Sequence, residues 1–164
     1  MVDDFTILLA LAGVLGSGAI GGVFFAFSSF LMPALGRLPT EQGLATMQSI
    51  NVAVIRPSFL GAFIGTAVLS LGTVLLAGTH WGESGATLLA TGGTLYLVGT
   101  FLVTIVRNVP LNNRLEQLKP ADAHAAKAWE SYVRRWTIWN HVRTAAALLA
   151  TLSFCLGLVQ QVAG

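Results

Sequence analysis

The sequence predicts an all-α integral membrane protein, a four-helix bundle, on three observations. Of 164 residues, 54% are apolar and only 10% charged, and the mean hydropathy is +0.73; a soluble domain is far less apolar and more charged. Three charge-free runs, Phe5 to Gly36, Ser58 to Thr79 and Ala86 to Val106, each supply the roughly 20 residues that cross the hydrocarbon. A fourth, Thr144 to Gly164, spans comfortably only with residues upstream of it, including Arg143, His141 and Asn140. The expected spans are 5–33, 57–78, 86–107 and 136–162, in a single domain covering 1–164.

The first run follows Asp3 and Asp4 rather than a basic stretch, and it exceeds the roughly 7 to 15 apolar residues of a signal-peptide core. It reads as a retained helix. Its glycines include a Gly18-xxx-Gly22 pair, and the second run contains Gly61-xxx-Gly65. Such pairs let helix backbones approach closely in lipid, so they predict tight packing inside the bundle, with a homo-oligomer face as the second reading.

Charge sets the expected orientation. Arg37 and Arg56 follow the first run, and Arg107, Arg114, Lys119, Lys127, Arg134 and Arg135 lie between the third and fourth, whereas Gly78 to Gly85 and both ends carry no Lys or Arg. The positive-inside rule then predicts a cell-membrane protein with the first and third connections cytoplasmic and both termini outside. The net charge of +2 reflects this topology and contact with anionic lipids rather than nucleic-acid binding.

Both cytoplasmic connections are expected to be partly helical. Met32-Pro33 reads as the end of span one, and Thr40 as the N-cap of an amphipathic helix carrying Leu44, Met47, Gln48, Asn51 and Ile55. Arg56-Pro57 interrupts it, and a kink there would turn Asn51 and Arg56 inward. After span three, Asn108-Val-Pro-Leu-Asn-Asn113 reads as a capped turn, and Asp122 as the N-cap of a helix leading into span four. In the outer turn, His80 and Glu83 read as solvated surface rather than metal ligands, and no metal site is expected. The lone Cys155 permits no intrachain disulfide.

No phosphate-binding loop, dinucleotide fingerprint, His-Glu-x-x-His or nucleophile elbow is present. All seven carboxylates fall in termini or connections, which argues against di-iron chemistry and against ion transport by a buried carboxylate. What remains is a polar cluster at one membrane depth: Asn51, Arg56, Arg107, Asn108, Asn112, Asn140, His141 and Arg143. On one helix, Trp129, Tyr132, Trp136, Asn140 and Arg143 share a narrow stripe, with Trp139 at its edge and His141 about 140° round from Trp136. An arginine this deep either snorkels to phosphates or faces protein or a bound polar group, and the aromatics either form an interfacial belt or wall a flat ligand.

Four strings carry a family resemblance: Ala26-Phe-Ser-Ser-Phe-Leu-Met-Pro33; Met47-Gln-Ser-Ile-Asn51 with Pro57 following; Asn108-Val-Pro-Leu-Asn112; and Trp129-x-x-Tyr132 with Trp136-x-x-Trp139-Asn140-His141-x-Arg143. Over nearly its whole length the chain resembles the anthrone oxygenase-like family of small four-helix membrane proteins. The resemblance implies oxidation of an anthrone to an anthraquinone in polyketide pathways, with molecular oxygen as co-substrate and neither flavin nor metal. For that chemistry, His141 is the expected base and Arg143 with Asn140 the oxyanion stabilisers. Asn51, Arg56, Asn108, Asn112, Tyr132, Trp136 and Trp139 are the expected substrate contacts, the substrate being small and lipophilic. The alternatives are a haem protein, with His141 as axial ligand and Arg143 on a propionate, and a non-catalytic transporter or lipid-binding module.

Overall fold

The computed structural model describes residues 4–163, which are all-helical with short connections; Asp3, read above as preceding the first span, lies outside the described residues. Among the described residues, four helices are long and apolar enough to cross a membrane: α1 (Asp4–Gly36), α3 (Pro57–Thr79), α4 (Ala86–Glu116) and α5 (Ala125–Ala163). Between the first two lies α2 (Thr40–Ala53), the amphipathic segment. α5 packs along α1 and α4, while α3 lies against α1 and α4.

Helices α1 and α4 run further than the prolines suggest. Proline lacks an N–H, and its ring crowds the carbonyl four residues back, which normally ends or kinks a helix. Here a π-helical turn precedes each one: Phe27–Leu31 before Pro33, and Thr104–Asn108 before Pro110. The wider turn accommodates the missing bond, so α1 continues to Gly36 and the expected asparagine-rich turn is instead helix to Glu116. Two other starts also shift. Pro39 occupies the N-cap of α2 with Thr40 inside the helix, and Asp122 accepts the Lys119 N–H at 2.9 Å, closing a turn ahead of Ala125.

Glycines do permit close packing, but at other positions than the two pairs singled out. A Cβ at Gly93 would lie 2.7 Å from the Ser70 carbonyl, and one at Gly13 3.0 Å from the Phe154 ring. Gly18 makes only ordinary contact with Thr151, while Gly22, Gly61 and Gly65 face open space. Helical phase decides this, because the packed glycines lie on faces that already carry the core.

The core divides into two layers along α5. Toward the connection between α3 and α4, Ile20, Phe24, Phe63, Tyr96 and Phe154 interlock. At the opposite end, α2 brings Leu44 and Met47 onto Met32, Leu115, Trp129, Tyr132 and Trp136. Between the layers in the sequence of α5 sit Asn140, Arg143 and Thr144, all buried and polar.

Candidate functional site

A cavity of about 580 Å³ opens at the level where these layers meet, with lining from all five helices. Its size falls within the range of small-molecule sites, roughly 300 to 1,000 Å³. Phe24, Phe27, Phe59, Phe63, Phe101 and Trp136 supply aromatic walls. The exposed apolar residues Ile55, Leu60, Ile64 and Ile105 belong to the lining, as do the exposed polar residues Asn113 and Glu116. One edge of the mouth is thus lipid-like and another polar.

Arg143 lines this cavity and is only 4% exposed. Its Nη2 donates to Asn140 Oδ1 at 2.6 Å and its Nη1 to Thr104 Oγ1 at 3.2 Å. The guanidinium carbon lies 4.1 Å from the Phe24 ring centroid and 5.0 Å from that of Trp136, within the reach of cation–π attraction. Nε has no hydrogen-bond partner, and among the described residues no carboxylate pairs with the guanidinium. The snorkelling alternative does not apply, since the charge is held inside the protein.

Asn140 is fully buried and lies behind Arg143 rather than in the cavity lining. Its Nδ2 donates to the Phe24 carbonyl at 2.7 Å and to Ser28 Oγ at 2.6 Å, leaving Oδ1 aimed at Arg143. Its role is positioning. Thr144 Oγ1 lies 3.4 Å from Ser28 Oγ and donates to the Asn140 carbonyl at 2.8 Å, completing a buried network between α1 and α5.

Asn112 organises the aromatic side. Its Oδ1 accepts from Trp136 Nε1 at 2.8 Å and from Tyr132 Oη at 3.0 Å, fixing both rings against α4. Asn112, Trp136 and Asn51 all line the cavity. The Asn51 side chain stands against the Tyr132 hydroxyl, and its buried Nδ2 completes no hydrogen bond of good geometry there, so an acceptor in the cavity would satisfy it better.

The remaining expected site residues are elsewhere. His141 is exposed on the outer face of α5 and absent from the lining, because 140° of helical rotation separates it from Trp136 (about five residues at 100°). A histidine base inside this cavity is therefore not what the fold provides. The haem arrangement meets the same obstacle, since His141 and Arg143 do not face one ligand. Arg56, in extended backbone between α2 and α3, is exposed rather than turned inward. Asn108 is buried, but its Nδ2 ties to the Trp136 carbonyl at 3.2 Å. Trp139 is half-buried beneath Arg107, whose guanidinium carbon lies 4.6 Å from its ring. Among the described residues, no group of three His, Cys, Asp or Glu is placed to hold a metal.

The sequence reading missed Phe24, Thr104 and Glu116. Thr104 is a polar group within an apolar run, a usable signal. Glu116 lies four residues after Asn112 and shares its face once α4 continues past Pro110.

A sequence model of the family described as anthrone oxygenase matches residues 52–153. The chain belongs to the anthrone oxygenase family. The matched stretch carries Thr104, Asn112, Trp136, Asn140 and Arg143, while Phe24, Phe27, Met47 and Asn51 come from the segment before it. This member of the anthrone oxygenase family thus completes its cavity with α1 and α2. No curated protein and no solved structure matches the chain.

Proposed function

We propose that the protein is a membrane-embedded oxygenase-like enzyme that oxidises a flat, lipophilic, anthrone-like substrate with molecular oxygen, without a redox cofactor. One observation carries the reading beyond family membership: a buried cation, with no carboxylate partner among the described residues, in a largely apolar cavity with aromatic walls. Such a cation suits a reaction in which negative charge develops on an oxygen.

An anthrone carries an acidic methylene conjugated to its carbonyl. Loss of one methylene proton gives an enolate whose oxygen lies against Arg143, with Asn51 as a further donor. The electron-rich enolate transfers an electron to oxygen, the two radicals combine at the former methylene carbon to give a peroxide anion, and this takes back the proton released in the first step to become a hydroperoxide. Loss of water, with the second methylene hydrogen leaving as a proton, produces the quinone. One oxygen atom enters the product and the other leaves in water, so no external reductant is consumed.

The first proton needs an acceptor. Glu116 is the carboxylate in the cavity lining, exposed at its polar edge, and we assign it to receive that proton directly or through water. Trp136 and Phe24 hold the flat rings. The exposed apolar residues of α3 and α4 at the mouth favour admission from the bilayer. By the positive-inside rule that mouth faces the cytoplasmic leaflet, with both termini outside.

The test is quinone formation and oxygen uptake with a panel of anthrones in detergent. Arg143→Gln is expected to lower kcat by about 10²–10³, as loss of an oxyanion donor does. Turnover that survives Arg143→Gln unchanged overturns the role assigned to Arg143. If no anthrone is consumed, the oxygenase reading itself fails.

A further inference from the structure

We propose that the cavity holds its ligand as an anion, so that its ligands are lipophilic weak acids: a flat apolar body bearing one acidic oxygen, as in a phenol or an enolisable ketone. This rests on the cavity being a ligand site and not on oxidation taking place there. The basis is the unfilled bonding capacity of its lining.

One buried donor there, Arg143 Nε, lacks a partner, and a second, Asn51 Nδ2, has only the Tyr132 hydroxyl beside it without a well-formed bond. The obvious acceptor, Asn112 Oδ1, is already occupied by Tyr132 and Trp136. Vacant capacity is therefore a donor plus one positive charge. A neutral ligand leaves that charge uncompensated in an apolar surround, which is costly, whereas an oxygen anion offsets it, accepts from Arg143 Nε and can draw Asn51 Nδ2 from the Tyr132 hydroxyl.

Among the described residues, the elements that line the cavity supply Arg143 with no carboxylate partner. α1 presents Phe24 and, through Asn140, Ser28; α2 presents Asn51; α3 presents Phe59 and Phe63; α4 presents Thr104 and Asn112; and α5 itself adds Tyr132, Trp136 and Asn140. Among the described residues, Glu116 is the carboxylate in the lining, and it is solvent-exposed with no ion pair to Arg143. A cation within about 4 to 6 Å favours the ionised form of an acid and lowers its pKa by roughly one to three pH units.

The probe is 2-naphthol, a flat phenol without an oxidisable methylene, whose absorbance reports its ionisation. Bound to the purified protein, it is expected to ionise about one pH unit or more below its midpoint in protein-free micelles of the same detergent. Its methyl ether, which cannot ionise, is expected to bind about tenfold or more weakly where the bound naphthol is ionised. Arg143→Gln should abolish the shift and bring the two ligands to similar affinity. Asn51→Leu should reduce the shift while leaving Arg143 in place. Because the wild-type comparison of naphthol with its ether is decisive alone, a variant that fails to fold does not blunt the test. An unshifted naphthol midpoint, equal binding of the ether by wild type, or an undiminished shift in folded Arg143→Gln each overturns the proposal. Oxidation assays are separate: absent quinone formation with a shifted naphthol leaves this inference standing and removes the enzymatic one.

Discussion

At the scale of single residues, neighbouring positions of one helix receive opposite fates. Arg143 is buried over two aromatic rings with Asn140 bracing it, while His141 stands outside. His141→Ala is therefore expected to keep anthrone turnover within about twofold of wild type, since exposed substitutions away from a site change little. A hundredfold loss in a folded His141→Ala protein would restore the histidine base and displace the geometry described above. Asn140→Leu is expected to lower kcat by about 10²-fold with KM changing less, because misplacement of a catalytic group costs about that much. Steady-state kinetics in detergent separate the two parameters.

Elements explain how the site is assembled. Each π-helical turn before a proline lets a helix pass a residue that would ordinarily stop it, and α4 thereby carries Asn112 and Glu116 to the cavity. The helix faces then set what can be changed. Gly93→Ala is expected to destabilise by about 1–3 kcal/mol, because its Cβ would press on backbone at the Ser70 carbonyl. Gly65→Ala, which meets open space, is expected to be neutral or to stabilise by up to about 1 kcal/mol through helix propensity. Thermal unfolding in detergent, followed by circular dichroism, compares the two; similar melting points would sink the distinction.

For the whole molecule, the distribution of charge and apolar surface decides placement. Eight cations are exposed at or near one end of the bundle, leaving Arg143 alone inside. α5, with 39 residues, is about 58 Å long at 1.5 Å per residue, against a hydrocarbon thickness of about 30 Å. It must project beyond the membrane. Single cysteines at Lys119 and Glu83, each in a Cys155→Ser background, are expected to react oppositely with a membrane-impermeant maleimide on intact cells, Glu83→Cys labelling and Lys119→Cys not. The reverse pattern would invert the topology. For the route through the bilayer, Ile64→Trp with Ile105→Trp at the mouth is expected to raise KM about tenfold with little change in kcat, the mark of impaired binding rather than chemistry.

By itself the sequence determined the four apolar helices, the amphipathic segment between the first two, and the stripe from Trp129 to Arg143, because hydrophobic length and helical period are local properties written residue by residue. The family strings were legible in the same way. Tertiary structure decided the rest. Whether Asn108 touches a ligand or a carbonyl, whether Arg56 turns inward, and which glycines meet a neighbour all depend on the phase between helices, which no single segment encodes. The cavity is the clearest case: its lining comes from all five helices, and the charge of Arg143 acquires meaning only once packing shows that, among the described residues, no carboxylate stands beside it.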